Sequence, residues 1–210
     1  MAGGAIDLGQ LFQAVTQTLS SNKEALNQAD GYNGNHGDNM VDIFQTITDA
    51  VGKKSGLDAG AALAYAAKVL GKKQKSGSAK IYTAGLKGAA QKFKDKQVTQ
   101  DNALDLIQSL LGGGAPAAQQ QPAGGDLLGS LLGGLGGGQE ATQGDSGLDA
   151  GDLLAVGLAF MQAKQKGGSN SEAILNALLS AGPLGESAHR QQSGMLVGNT
   201  LMQVLGSLGR

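Results

Sequence analysis

The ten residues from Asp30 to Asn39, DGYNGNHGDN, gather oxygen donors and one of only two histidines beside glycines that keep the backbone accessible. Asp30, Asn33, Asn35, Asp38 and, just beyond, Asp42 offer carboxylate or amide oxygens to a hard cation such as Mg2+, which usually needs phosphate as well. The free N–H groups at the start of the following helix would favour an anion in the same place. The plain alternative is a solvated loop whose Asp38 caps a helix. A second candidate is KKQKSGSAK, where Lys72, Lys73, Lys75 and Lys80 surround Ser76, Gly77 and Ser78 at a predicted helix start. Backbone N–H groups, a serine hydroxyl and nearby positive charge can hold phosphate there. The alternative is an exposed lysine face, since a repeat of the segment carries Ser169 and Glu172, an ordinary capping box. His189 and Arg190, in a stretch read as a surface loop before the last helix, are a third place where an anion could be met. Neither histidine has a Ser or Cys partner at a recognisable motif spacing, and neither a Walker A sequence nor a dinucleotide fingerprint occurs.

Helices must position these residues. Apolar residues recur at i, i+3, i+4 and i+7, whereas β-branched and aromatic residues never alternate over a useful length. The first helix reads from Ile6 to about Leu19, with Leu8, Leu11, Phe12, Val15 and Leu19 on one face. Ser21 and Glu24 form a capping-box pattern for the next. The pattern resumes at Met40, Ile43, Phe44, Ile47 and Val51, and further helices are predicted at about 57–71, 78–94, 100–111, 148–165, 170–181 and 193–208. Between Gly112 and Ser146, twelve of 35 residues are glycine, with Pro116, Pro122 and the run Gln119 to Gln121, a composition that predicts a flexible, disordered insert. SGLDAGAALAYAAKVLGKKQKSGS from Ser55 returns as SGLDAGDLLAVGLAFMQAKQKGGS from Ser146, with 13 identities in 24 positions, which suggests an internal duplication. The expected architecture is all-α: an antiparallel bundle or barrel of about eight amphipathic helices, split into 1–111 and 147–210 by the insert 112–146.

Composition bounds what such a bundle can do. With 210 residues, 40% of them apolar, the chain can bury a core, and the absence of cysteine excludes a disulfide framework and a thiolate metal site. The opening MAGGAIDLGQ lacks a signal peptide's basic start, and no window approaches the roughly 20 apolar residues of a membrane span, so a cytoplasmic protein with no membrane partner is expected. A net charge of -1 argues against wholesale nucleic-acid binding. That total hides a gradient, because eleven of the sixteen Lys and Arg residues lie between Lys53 and Lys96, where the only acids are Asp58 and Asp95.

Taken together, these segments resemble the DhaL family, the nucleotide-binding L subunit of dihydroxyacetone (glycerone) kinase and the related N-terminal domain of fatty-acid kinase. LNQADGYNGNHGDNM, Leu26 to Met40, keeps the Leu-Asn pair, its spacing, and the HG and NM dipeptides of the family's aspartate-rich loop. SGSAKIYT echoes a second family segment through Gly77, Ser78 and Tyr82, GDSGLDAG echoes a third, and LGESAHRQQSGM echoes the closing loop. The resemblance implies a helical barrel holding ATP or ADP with two Mg2+ ions at one end. Carried over, the nucleotide contacts fall on His36, Gly37, Asp38 and Asn39, on Gly77 and Ser78, and near Ser193 and Gly194. Two aspartates of the family's metal loop appear here as Asn33 and Asn35, leaving Asp30 and Asp38 as substitutes, and Asn27 or Gln28 occupies an earlier acidic position. Ser180 and Gly147 fall where the family has an arginine and a methionine near the base. The expectation is a divergent DhaL-type domain with weakened or lost Mg-ATP phosphotransfer. The alternatives are an active kinase subunit whose substrate is held by a separate substrate-binding subunit, and a non-catalytic helical scaffold; a homo-oligomer is left open.

Overall fold

Asp7 sets the first helix: its extended backbone lets the carboxylate accept from Gln10 N at 3.0 Å, and α1 follows over Leu8–Ser21. In this computed structural model residues 5–54, 56–112, 175–176, 178–180 and 182–207 are described. The predicted insert beyond Gly112, the helix expected over 148–165 and the second copy of the repeat lie outside them. The face of α1 is the expected one, with Leu8, Leu11, Phe12, Val15 and Leu19 buried.

Helix α2 (Lys23–Ala29) does not use the predicted Ser21–Glu24 box. Ser21 is still the last residue of α1, and the chain turns on Asn22 alone, whose N–H and side-chain amide both bond back to Thr18 O. A residue held in helical geometry cannot adopt the extended geometry of an N-cap. Helix α3 spans His36–Gly52, α4 Ala59–Lys73, α5 Gly77–Lys92 and α6 Ala103–Leu111, the last preceded by a 3-10 turn at Gln100–Asn102. Asp58 caps α4 by accepting from Ala61 N at 2.9 Å. Ser76, not Ser78, caps α5, accepting from Ala79 N at 3.2 Å, so Ser78 is a buried first-turn residue rather than a cap. Helix α7 (Ala188–Ser207) starts five residues before its predicted start at 193, which places His189 and Arg190 in its first turn instead of a loop. Replacing Asp58 by alanine should therefore cost about 1 kcal/mol in a urea unfolding titration, while Ser21→Ala should stay within about 0.5 kcal/mol of the parent. Equal losses at both positions would contradict this cap assignment.

The described helices pack as neighbours in the pairs α1 with α3 and α7, α3 with α2 and α4, α4 with α5, and α5 with α6. No strand occurs among the described residues. The architecture is an all-α bundle. Close approach substitutes for bulk in a chain with four Phe, three Tyr and no Trp. A Cβ on Gly60, at the start of α4, would lie 2.7 Å from Phe93 O beyond the end of α5, so the two helices run antiparallel in near backbone contact. Phe12, Phe44 and Tyr82 form the centre, with Phe44 edge-on to Tyr82 at 4.9 Å. Leu175, Leu179, Leu184, Val197 and Leu201 join the same apolar cluster as α1 to α6, so described residues from both sides of the insert share one core. No described helix is long and apolar enough to cross a membrane.

Candidate functional site

The loop and the start of α3 are held from below by α2. Asn27, in the last turn of α2, accepts at its side-chain oxygen from Gly37 N at 2.7 Å and Asp38 N at 3.2 Å, and its amide donates to Asp38 Oδ2 at 2.9 Å. Lys23 reaches Asp38 Oδ1 at 3.2 Å. The Asn27 amide and the Lys23 ammonium together hold the Asp38 carboxyl below the usual range. Asn39 N bonds to Asn35 O at 3.0 Å. The N–H groups of Gly37, Asp38 and Asn39 are thus already engaged within the protein, and what α3 can offer a ligand is its first side chain, His36.

His36 is buried, and its Nε2 lies 2.9 Å from Ser193 Oγ on α7, 157 residues away. Ser193 donates its single proton to Arg190 O at 2.9 Å. Its oxygen therefore accepts from His36, which must be the Nε2–H tautomer. Burial first, then the neighbouring His189 and, more weakly, Arg190 push His36 down to about 4, against the opposing pull of Asp30, so the ring is neutral at pH 7. Ser193 is fully buried and acts as a strut between His36 and the main chain of α7, with no path for a nucleophile's approach.

The first turn of α7 carries the exposed end of this arrangement. The His189 ring meets His36 edge-on at 4.6 Å, its Nδ1 stands 3.9 Å from Asp30 Oδ1, and its Nε2 is 3.3 Å from Ser187 Oγ. Burial would raise the Asp30 carboxyl, but the N–H of Tyr32, His189 and the N–H groups of Asn35 and Asn33 together hold it below the usual range. Asp30 is accordingly an anion, and its Oδ1 also accepts from Tyr32 N at 3.1 Å. Arg190 extends across to α5: a Cβ placed on Gly77 would lie 2.6 Å from its terminal nitrogen. The absence of a side chain at Gly77 is what admits the guanidinium over the first turn of α5, where the N–H groups of Gly77 and Ser78 have no intrahelical acceptor. Glu186 is the carboxylate paired with Arg190, at 3.1 Å and largely exposed.

The structure thus brings His36, Ser193 and, through Arg190, Gly77 into one region, with Ser78 buried directly behind. Gly194 serves packing, since a Cβ there would meet Leu179 Cδ2 at 2.6 Å. Of the candidate metal ligands, Asp30, Asn33, Asn35 and Asp38 each have a partner within the protein. Both oxygens of Asp38 are taken, Asp30 is tied to Tyr32 and faces His189, Asn33 Oδ1 accepts from Asn35 N at 3.4 Å, and Asn35 Oδ1 accepts from Asn39 at 2.7 Å. Among the described residues no group of three or more His, Cys, Asp or Glu converges. The two-Mg2+ arrangement implied by the resemblance does not fit these donors. Sequence reasoning left Arg190 outside the primary set and missed the cross-helix cap made by Asn27; the Leu-Asn pair was its signal. Compared with known proteins, the chain matches no family model, no curated protein and no solved structure.

Proposed function

We propose that this protein binds a phosphorylated ligand at the junction of α3, α5 and α7, with His189, Arg190 and the first turn of α5 as its contacts and His36 and Ser193 as positioning residues. One observation carries the reading: the Arg190 guanidinium lies over the N-terminus of α5. A cation there opposes the helix dipole, a mismatch typically worth about 0.3 to 1 kcal/mol, and an anion between the two converts it into attraction. The DhaL resemblance makes ADP or ATP the natural ligand class. Weakened or lost phosphotransfer is part of the same reading, because Asn33 and Asn35 supply no charge to hold Mg2+, and any acceptor would have to come from a separate substrate-binding subunit.

The test is a thermal melt and a calorimetric titration with phosphate, ADP and ATP. A ligand at 100 times its dissociation constant should stabilise by about 2.7 kcal/mol, or roughly 5 to 10 °C for a protein of this size. Arg190→Gln should weaken binding about tenfold or more, as loss of a charge-assisted contact does. No shift at millimolar concentrations of all three ligands, or an unchanged affinity in Arg190→Gln, would remove the site.

A further inference from the structure

The misfit between the resemblance and the donor set points to a different way of balancing ligand charge. We propose that this site binds an oligophosphate chain as the free anion, with lysines and Arg190 in the place of divalent cations, so that Mg2+ competes with binding instead of supporting it. The inference rests on the phosphate reading above.

The connection between α4 and α5 concentrates positive charge beside Gly77. Lys72 and Lys73 end α4, Lys75 lies in the connection, and Lys80 stands on the first turn of α5; all four are exposed. None has a carboxylate within 4.0 Å among the described residues, and Lys75 spends one donor on Gly71 O at 2.9 Å. Arg190 meets this group from α7 and has Glu186 as its ion-pair partner. On the other side of the site the carboxylates have partners within the protein: Asp38 takes Lys23 and Asn27, and Asp30 accepts from Tyr32 N. A bound magnesium oligophosphate would present a divalent ion to five cationic side chains, and among the described residues no group of three or more His, Asp or Glu converges to receive it. The free anion would present its full charge to them. The lysines would be redundant for a single phosphate held by Arg190 and His189, and they become useful when the ligand is longer.

Pyrophosphate and orthophosphate are the probes, titrated calorimetrically into the full chain in EDTA and in excess MgCl2 at matched ionic strength. Pyrophosphate should bind in EDTA more tightly than orthophosphate, and Mg2+ should weaken it by about tenfold, within the usual range for coupled ligands. The double variant Lys75→Gln/Lys80→Gln should weaken pyrophosphate roughly fivefold, a modest loss for each exposed cation, and orthophosphate much less. Tighter binding with Mg2+, or a double variant with unchanged pyrophosphate affinity, would overturn the proposal and leave the phosphate site standing. If neither probe binds under either condition, the phosphate reading itself fails and this inference goes with it.

Discussion

Replacing Gly37 by alanine is expected to lower stability by about 3 kcal/mol, the upper part of the usual overpacking range. The added methyl would sit 2.9 Å from Asn27 Oδ1 and closer still to the Lys23 carbonyl, so it meets main chain and a doubly bonded side chain, neither of which can move cheaply. Relief requires α2 to retreat from α3, and with it Asn27 would abandon Gly37 N and Asp38 N, leaving the first turn of α3 uncapped. Gly31→Ala is the control, because nothing lies within 4 Å of a Cβ there. In thermal melts Gly37→Ala should fall by roughly 6 to 12 °C, with Gly31→Ala within about 0.5 kcal/mol of the parent. A Gly37→Ala protein as stable as the parent would mean that α2 is not seated on α3 as described. Because His36 adjoins Gly37, the same variant should also disturb phosphate binding, whereas Gly31→Ala should not.

This dependence on one glycine shows which parts of the architecture can be read along the chain. The buried face of α1 follows from apolar spacing, because periodicity reports directly which side of a helix meets the core. Caps were harder, since Ser-x-x-Glu at Ser21 and the serine pair at Ser76 and Ser78 satisfy the same residue preferences, and backbone geometry alone decides which serine is extended. The start of α7 differs from the expected one for another reason. Ser193, Gly194 and Gly198 are weak helix formers, and the sequence opens the helix only on the first of them. In the fold, Leu179 packs on Gly194 and Leu175 on Gly198, so the missing side chains are the seats of two core leucines and tertiary packing outweighs local preference. Moving the start back to Ala188 is what turns His189 and Arg190 from loop residues into first-turn residues with fixed directions.

The candidate site divides along the same line. The residue types of the Asp30–Asn39 loop and of the Ser76–Lys80 stretch were visible as anion or cation donors, but their use depends on partners far away in sequence. Asn27 consumes the N–H groups that seemed available on α3, and Lys23 consumes the charge of Asp38. His36 finds Ser193 only because α7 packs beside α1 and brings Ser193 to the start of α3. Apart from the Leu-Asn pair at Leu26 and Asn27, no local pattern encodes these pairings. They engage the N–H groups of α3 and the carboxylate of Asp38, where the loop composition alone allowed a cation as readily as an anion.

The buried neutral histidine also makes stability depend on pH. His36 is held at about 4 in the folded protein, below its ordinary 6.5, so the unfolded chain binds a proton at a pH where the folded state does not. Above about pH 6.5 both states leave the ring neutral and the fold incurs no loss. As pH falls from 6.5 toward 4, each unit should remove up to about 1.4 kcal/mol, and below 4 the folded state takes up the proton as well and the loss levels off. The total is roughly 3 kcal/mol. Carboxylates also titrate in this window, Asp30 among them, so the quantity to measure is a difference: urea unfolding of the parent and of His36→Asn at half-unit steps from pH 7.5 to 3.5. The asparagine variant loses the contact with Ser193 at every pH, which shifts its curve by a constant, but it has no ring to protonate. The stability advantage of the parent should therefore shrink by roughly 3 kcal/mol between pH 7 and pH 4. A difference that stays constant across that range would mean His36 is protonated as easily in the folded protein as in the unfolded chain, and that it does not occupy the buried, proton-excluding position between Asp30, His189, Arg190 and Ser193.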